Sequence, residues 1–344
     1  MYLTEKEIFS QYDALKKTYE YFCDNTEKIK NFKNQYNFTS MTYIGSGSGY
    51  TLCRSAEMSA KIRLNLPANA LAAGDLMLNF SHYTKLLKDT VIVAPSRSGS
   101  TSEVILAVKK AKEELGVPCI SICAVANSEL SKIADLNLEI PWAFDESVCQ
   151  TRTVTNLYTA NLMLIGIMAD DDVMMEEIKK AIESGNGYMD EYKETLQKIS
   201  VGNTWSKVVV LADSELQGIA AEGAVAFKEI PQVMSNFYHI LDVRHGPMVL
   251  IDKDTLVIIA TSPYGISYQQ DLICDLKKRG ALVVTVGAEE AIDSDYHSTL
   301  PECKNYAVYC IPFIFVPQAI GFYKAVQKGI NPDLPNGLDP WIKL

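Results

Sequence analysis

The chain contains one pattern of elements twice: an apolar strand, a polar loop, a helix that ends at a glycine, and a second apolar strand. The first copy reads DTVIVAPSRSGSTSEVILAVKKAKEELGVPCISICAV and the second reads DTLVIIATSPYGISYQQDLICDLKKRGALVVTVGAE. Thr90 aligns with Thr255 and Gly116 aligns with Gly280, so both landmarks are offset by about 165 residues. One order of elements at one offset predicts a duplicated domain.

A strand, a helix and a second strand in this order form a right-handed βαβ unit. Strands as continuously apolar as these are typical of parallel sheets that helices cover on both faces. We therefore expect an α/β protein with two tandem doubly wound, flavodoxin-like domains, each a parallel sheet with covering helices. The expected segments are an N-terminal helical segment at 1–38, a first domain at 39–170, a helical connector at 171–202, a second domain at 203–328 and a tail at 329–344.

Charge and hydropathy disfavour several classes of partner. The 344 residues carry 42 acidic and 32 basic side chains, a net charge of −10, and the longest basic cluster is Lys277–Arg279. Such a surface repels polyanions, so we expect neither nucleic acid nor a membrane as a partner. The first residues lack the apolar core of a signal peptide. The most apolar stretch, AVYCIPFIFVPQAIGFY, holds two prolines and is short for a membrane span.

The eight cysteines fit a reducing compartment better than a disulfide scaffold. None forms a CxxC pair, and no Cys pair stands near a matching His pair, so we expect no zinc or other metal site. Cys119, Cys123 and Cys310 lie in apolar runs, where a thiol acts as a small hydrophobic side chain. These features predict a cytoplasmic protein without a cofactor.

The loop SRSGSTS at 96–102 follows a buried strand and opens a helix. Ligands of parallel sheets bind at such loops, beyond the carboxyl ends of the strands. Hydroxyl groups, a closely approaching glycine backbone and the N–H groups of a helix start can hold a phosphate without a metal. The alternative is a serine-rich turn with an ordinary helix cap. The strand context favours phosphate binding, with Ser96, Arg97, Ser98 and Thr101 as candidates.

A second loop of this kind, GSGSG at 45–49, offers Ser46, Gly47 and Ser48 as further phosphate or sugar-binding candidates. It departs from the GxGxxG of dinucleotide-binding folds and lacks the Lys of a P-loop, so nicotinamide binding and ATP hydrolysis are disfavoured. In the second copy, the loop that corresponds to 96–102 contains Pro263 and Tyr264. Pro removes an N–H donor and Tyr crowds the space, so we expect that this copy has lost phosphate binding.

The second half supplies candidate proton carriers. Glu222 and Glu229 are seven residues apart and share one face of a predicted helix with apolar neighbours. Burial raises the pKa of an unpaired carboxylate there and suits it to act as a general base. A solvated Glu229 paired with Lys228 is the alternative.

Histidine is the natural proton carrier near neutral pH, and the chain has only four. His245 stands in an Arg-His-Gly-Pro turn before a predicted buried strand at 248–251, a placement that fixes the imidazole. His82 follows a predicted helix start, His297 lies in a predicted polar loop, and His239 lies in an aromatic stretch. We expect structural roles for these three.

The segment ESVCQTRT at 146–153 precedes an apolar helix predicted at 157–168. A polar loop that opens a buried helix is either a capping arrangement or a further wall of a ligand site. The residue types leave both interpretations open.

Together the motifs resemble the tandem form of the sugar isomerase (SIS) domain family. This family includes the isomerase half of glucosamine-6-phosphate synthase, stand-alone phosphosugar isomerases and fructosamine-6-phosphate deglycases. The resemblance covers about residues 40–344, and it is carried by GSGSGY (45–50), SRSGST (96–101), ESVCQTRT (146–153), EGAVAFKEI (222–230), RHGP (244–247) and NPDLP (331–335).

The resemblance implies roles for individual side chains. Ser96, Ser98 and Thr101 would hold a substrate phosphate, with Ser48 nearby, and Gln150 and Thr151 would line the sugar. Glu229 would be the proton-transfer carboxylate. His245 would be a second acid or base that reaches the neighbouring subunit's site in a homodimer with shared active sites.

The chain departs from the synthase-type isomerases at several positions. They carry a Lys three residues before the catalytic Glu, where this chain has Ala226, and a tail Lys near Pro340, although Lys343 lies close. Their first loop ends in Ser, where this chain has Gly49. No glutaminase domain precedes the tandem, so we do not expect ammonia to be channelled from glutamine. The Glu–His pair without the Lys is similar to the deglycase and stand-alone subgroup.

We therefore expect an enzyme that acts on a phosphorylated sugar or amino sugar. Its reaction would be aldose–ketose isomerisation or deglycation of fructosamine 6-phosphates, with proton transfer by Glu229 and His245 through an enediol or enaminol. The alternative is a non-catalytic regulatory protein that binds a sugar phosphate in the same pocket.

Overall fold

The computed structural model describes residues 1–288, 293–339 and 344. In this part of the chain the strands are β1 (Ser40–Gly45), β2 (Ala68–Ala72), β3 (Thr90–Ser96), β4 (Cys119–Cys123), β5 (Leu136–Glu139), β6 (Lys207–Leu211), β7 (Met234–Tyr238), β8 (Thr255–Ala260), β9 (Leu282–Gly287) and β10 (Tyr296–Thr299). The helices are α1 (Leu3–Phe9), α2 (Gln11–Asp24), α3 (Thr26–Gln35), α4 (Ser48–Leu64), α5 (Ala73–Leu78), α6 (Phe80–Tyr83), α7 (Ser102–Leu115), α8 (Glu129–Ile133), α9 (Arg152–Ala169), α10 (Asp172–Val201), α11 (Gln217–Glu229), α12 (Ile266–Lys278), α13 (Cys310–Phe313) and α14 (Phe315–Gln327).

The chain divides into two compact units, which we call the N-terminal unit and the C-terminal unit. The N-terminal unit comprises Ser10–Glu146, Gln150–Glu183 and Asp339–Leu344. The C-terminal unit comprises Met1–Phe9, Ser147–Cys149 and Ser184–Leu338. Two segments therefore belong to the C-terminal unit although the residues next to them in sequence belong to the N-terminal unit. These segments are the first nine residues, which include α1, and three residues before α9.

Each unit contains a five-stranded sheet in which every pairing is parallel. The order is β2-β1-β3-β4-β5 in the N-terminal unit and β7-β6-β8-β9-β10 in the C-terminal unit. Counted within each copy, both orders are 2-1-3-4-5, the flavodoxin-like arrangement. The predicted fold of two tandem doubly wound α/β domains is confirmed.

The landmarks of the repeat lie at equivalent places. β3 begins at Thr90 and β8 at Thr255, and both strands are completely buried. α7 ends at Gly116 with φ +66°, and Gly280 follows the end of α12 with φ +85°. This left-handed conformation is accessible to glycine without strain, which explains why the pattern places glycine there.

Two predictions near the histidines are wrong. The segment 248–251 is predicted as a buried strand. Instead, most of it lies in a 3₁₀-helix at Pro247–Leu250, in which Val249 and Leu250 are exposed. Pro247 lacks an N–H and has a fixed φ, so it starts a helical turn more readily than a strand. His297 lies in β10 and not in a loop, with Nδ1 2.8 Å from the Thr285 hydroxyl.

The most apolar stretch of the chain is part of a helical segment that is longer than the stretch itself. Tyr306–Gln327 spans 22 residues and meets the length and composition criteria for a membrane-crossing helix. Pro312 and Pro317 stand in the first turns of α13 and α14, where a missing N–H costs nothing. The expectation that this stretch is too short to cross a membrane is therefore wrong. However, 94% of its most apolar part is buried within the protein, as in the core helix of a soluble protein.

Candidate active site

Two hydroxyl-rich loops lie at one edge of the N-terminal sheet. β1 and β3 are parallel neighbours, so the loops that follow them, at 45–49 and 96–102, leave the sheet at the same carboxyl edge. The contact is close, because a Cβ on Gly49 would lie 3.1 Å from the carbonyl oxygen of Pro95. The missing side chain at Gly49, where the resembled family has Ser, thus lets the start of α4 approach β3.

The conformation of the 96–102 loop is fixed by its own hydroxyls and by Gly99. Gly99 N–H donates to Ser96 Oγ at 3.0 Å, and Ser100 N–H donates to Ser98 Oγ at 3.2 Å. Gly99 has φ +59°, and a Cβ there would lie 2.2 Å from Ser128 Oγ. No other residue fits this position without strain and a clash.

A protonated thiol lies under the same loop. Burial raises the pKa of Cys123 to about 11, so this side chain carries no charge at neutral pH. Its sulfur would lie 3.1 Å from a Cβ on Gly99. The prediction that Cys119, Cys123 and Cys310 are buried in the core is confirmed, since each is fully buried.

The start of α7 leaves polar groups for a ligand. Thr101 is the N-cap residue, yet its side chain makes no capping hydrogen bond. The first N–H groups of a helix have no partner within the helix, and the helix start carries a partial positive charge. Arg97 is 8% exposed and Ser96 is 7% exposed, so their polar groups are held in a largely desolvated place. Donors of this kind can hold a phosphate-sized anion, and their role in this chain stays a prediction.

The first loop adds a second helix start. Gly47 has φ +54° and stands at the N-cap of α4, and Ser48 is 5% exposed. Ser46 is half-buried, and its carbonyl oxygen accepts the N–H of Gly49 at 3.0 Å. Ser46, Gly47 and Ser48 thus lie beside the 96–102 loop in the same unit, as expected from the parallel strands.

The loop before α9 is organised by a carboxylate that the sequence analysis did not single out. Asp145 is 1% exposed, and its Oδ2 accepts the N–H groups of Thr151 and Thr153, both at 2.8 Å. Arg152 Nε lies 3.8 Å from the other carboxylate oxygen. The signal was an acid six residues before a hydroxyl-rich helix start. The capping interpretation is therefore correct for Asp145, while Gln150 remains half-buried next to it.

The candidate base lies at the last residue of α11 in the C-terminal unit. Glu222 is 2% exposed on the same helix, whereas Glu229 is half-buried. Ala226 and Ile230, which flank Glu229, are buried against Cys149. The end of α11 is therefore held by apolar packing, while its last carboxylate reaches the surface of the unit.

His245 lies on the surface of the C-terminal unit. It follows a short 3₁₀-helix at Asp242–Arg244 and precedes Gly246, which has φ +128°. Arg244 donates to Asp275 at 2.7 Å and holds the pKa of that carboxyl below its usual value. The turn is thus fixed by its neighbours while the imidazole is exposed. His239 contacts the Phe237 ring and Asp213 Oδ1 at 2.9 Å, the structural role expected of it.

Two of the positions compared with the resembled family lie outside the described residues. Pro340 and Lys343, which bear on the tail Lys of the resembled family, lie outside. Within residues 1–288, 293–339 and 344, no group of three or more His, Cys, Asp or Glu side chains is arranged to hold a metal ion.

The two tandem doubly wound parallel sheets define a class of two-domain α/β proteins, in which ligands bind beyond the carboxyl ends of the strands. The chain belongs to the SIS domain family, which matches residues 37–169 and 203–308.

Relatives of known activity and solved structures agree with this assignment. The chain is 26% identical to a D-galactosamine-6-phosphate deaminase from Shewanella sp. over 96% of this chain and 87% of the relative. It is 27% identical to a glutamine–fructose-6-phosphate aminotransferase from Sulfolobus acidocaldarius over 74% of this chain, but it spans only 42% of that relative. It spans about half the length of the other aminotransferases it matches.

The structural neighbours cover the whole chain. A glucosamine-6-phosphate deaminase from Thermotoga maritima superposes with a TM-score of 0.83 at 25% identity, over 99% of this chain and 100% of the neighbour. A tagatose-6-phosphate ketose/aldose isomerase from Escherichia coli has a TM-score of 0.85 at 20% identity, over 99% and 97%, which is a likeness of fold. These comparisons agree with the assignment of the chain to the SIS domain family.

Proposed function

We propose that this protein is a phosphosugar-processing enzyme that moves a proton between C1 and C2 of a sugar 6-phosphate. The observation that carries the proposal is the 96–102 loop, in which the Thr101 side chain makes no capping hydrogen bond at the start of α7. The phosphate binds at this loop, with Ser96, Ser98 and Ser48 as further donors. Binding energy from the phosphate, remote from the reacting carbons, then orients the sugar.

Glu229 is the proton carrier in this proposal. In an aldose or ketose, its carboxylate removes a proton from one of the two carbons to give an enediol, and returns the proton to the other carbon. His245 assists ring opening or protonates the leaving group. Gln150 and Thr151 hold the sugar.

An amine-bearing substrate follows the same route with one further step. In a fructosamine 6-phosphate, removal of the C1 proton gives an enaminol, and protonation at C2 gives an imine at C1. Water then adds to the imine and the C–N bond breaks, so that a hexose 6-phosphate and a free amine result. Similarity to an amino-sugar-phosphate deaminase over nearly the whole chain supports an amine-bearing substrate. Position 226 is Ala and not the Lys of the synthase-type isomerases, and this difference also supports the deglycase reaction.

We further propose that the enzyme acts as a cytoplasmic homodimer with shared sites. His245 is exposed, and it lies among exposed apolar side chains: Leu241 is 41%, Val249 is 75% and Leu250 is 64% exposed. Apolar patches of this kind around a polar residue are typical of association surfaces. A second copy that covers this patch would receive His245.

A product screen tests the proposal. The protein is incubated with fructose, tagatose, glucosamine, galactosamine and fructosamine 6-phosphates, and free amine and isomeric sugar phosphate are measured. We expect amine release from at least one amino sugar phosphate, and none from Glu229→Gln. Isomerisation without amine release would identify the isomerase. Tight binding of a sugar phosphate without any turnover would instead support the regulatory alternative.

A further inference from the structure

A buried carboxylate in the first helix holds the segment before α9. Glu7 lies in α1 and is 3% exposed. The N–H of Ser147 donates to one of its oxygens at 3.1 Å, and the hydroxyl of Ser147 donates to the other. A buried carboxylate is costly unless such hydrogen bonds compensate it, and charge-assisted bonds are stronger than neutral ones. The two groups therefore fix each other.

Asp333 binds both ends of this arrangement. Its carboxylate accepts the N–H groups of Leu3 and Thr4 at 3.0 and 2.8 Å and the Thr4 hydroxyl at 2.9 Å, at the start of α1. Its main-chain carbonyl accepts the N–H of Val148 at 3.0 Å. We call Thr4, Glu7 and Asp333 the clasp. All its partners lie in the C-terminal unit, and together they hold Ser147 and Val148.

Cys149, the next residue in the chain, packs against the helix that carries the candidate base. Cys149 is 1% exposed and packs with Ala226, Ile230 and Ala325. Ala226 stands three residues before Glu229 and Ile230 one residue after it. The clasped segment Ser147–Cys149 is therefore fixed against the end of α11 that carries Glu229.

We infer that Glu7 is a positioning residue for the reaction, and that the clasp sets the main-chain position of Gln150, one of the proposed sugar-binding residues. Consecutive Cα atoms are only about 3.8 Å apart, so a shift of Ser147–Cys149 is passed on to Gln150. A hydrogen-bonded carboxylate does this better than an apolar contact, because it fixes direction as well as distance. The inference rests on the proposed function, since it assigns Gln150 and Thr151 to the sugar.

Glu7→Ala removes both hydrogen bonds, and Glu7→Gln keeps the shape and one acceptor. Ser200→Ala is the matched control, since Ser200 is buried in the same unit and its hydroxyl bonds Leu196 and Ile320, away from the clasp. We expect kcat/KM to fall on the order of 10- to 100-fold in Glu7→Ala and less in Glu7→Gln. We expect Ser200→Ala to leave kcat/KM unchanged, although its melting temperature falls about as much as that of Glu7→Ala. Inhibition by inorganic phosphate stays constant in all variants, because the 96–102 loop is untouched.

If Glu7→Ala retains the kcat/KM of Ser200→Ala, the role of Glu7 is structural and the inference is wrong. Binding of a sugar 6-phosphate, measured by calorimetry, separates this failure from that of the proposed function. If the wild-type protein binds the sugar 6-phosphate but does not turn it over, the proposed reaction is wrong. The affinity of Glu7→Ala for the sugar 6-phosphate then still tests the role of the clasp, and a loss of affinity supports it. A wild-type protein that binds no sugar phosphate overturns both.

Discussion

Glu229 is the residue on which the proposed chemistry depends most directly. It ends α11, half-buried, with Ala226 and Ile230 packed on either side of it in the chain. Glu229→Gln keeps the size of the side chain but cannot accept a proton. We expect kcat to fall by about 10²- to 10⁴-fold, the usual contribution of a positioned base, with little change in substrate affinity. Steady-state kinetics and calorimetry measure the two effects.

The control for this variant is Glu194→Gln, which neutralises an exposed carboxylate on α10. It changes the net charge equally and leaves kcat unchanged. Loss of binding in Glu229→Gln would assign this side chain to substrate binding and not to proton transfer.

Thr101 tests the phosphate assignment at a single hydroxyl. Because its side chain makes no capping bond, Thr101→Ala removes a ligand contact and little else. A hydrogen bond to a charged group contributes about 1.5–3 kcal/mol, so we expect KM for a sugar 6-phosphate to rise roughly 10- to 100-fold. The exposed Ser81→Ala is the control. Unchanged kinetics in Thr101→Ala would remove this hydroxyl from the phosphate site.

At the scale of elements, the 96–102 loop has the conformation it needs only because Gly99 has no side chain. Gly99→Ala places a Cβ 2.2 Å from Ser128 Oγ and forces a positive φ on alanine. Gly116→Ala meets the same unfavourable φ with nothing within 4 Å, and it lies at the far end of α7. We expect about 1 kcal/mol of destabilisation from the conformation in Gly116→Ala and more in Gly99→Ala.

The two variants separate stability from binding. Only Gly99→Ala raises KM for the phosphorylated substrate, since only this change displaces Ser96 and Ser98 from their hydrogen bonds to the loop. Thermal unfolding and kinetics on both proteins provide the comparison. An equal KM in both would mean that the shape of the loop does not matter for the substrate.

The elements that the sequence predicts well are those with a strong period and a chemical stop signal. The helix predicted at 102–115 is α7 itself, because Gly116 ends it. The N-terminal helical segment is divided at Ser10 and Asn25 into three helices, which an unbroken apolar spacing does not reveal. The strand predicted at 248–251 is wrong because two of its apolar residues, Val249 and Leu250, are exposed, and apolar character alone does not establish burial.

For the molecule as a whole, the repeat predicted both sheets, but it did not predict which segments belong to which unit. Leu3–Phe9 and Ser147–Cys149 belong to the C-terminal unit because Glu7, Asp333 and Cys149 find partners there. Such contacts join residues that are distant in the sequence, 140 positions in the case of Glu7 and Ser147, and no local period encodes them. This is also why Glu7 was missed, whereas Asp145 bonds the main chain of Thr151 and Thr153 only a few positions further on, so its signal was local.

The proposed sharing of active sites is a property of the assembled molecule. If Glu229 of one chain works with His245 of its partner, Glu229→Gln and His245→Ala chains are each inactive alone. In a mixed dimer, one site then holds both substitutions and the other holds neither. In an equimolar mixture about half of the dimers are mixed, and each has one intact site, so we expect about a quarter of wild-type activity.

The measurement is activity after the two inactive proteins are unfolded and refolded together, with light scattering to follow the dimer. Each variant refolded alone is the control, and both remain inactive. At substrate concentrations well below KM, where Thr101→Ala lowers the rate, the same mixture made with Glu229→Gln and Thr101→Ala does not reach the activity of the first pair if phosphate and base act within one chain. Absence of recovery in the first mixture, with dimers present, would place Glu229 and His245 in sites of a single chain, because no exchange of subunits could then rebuild an intact pair.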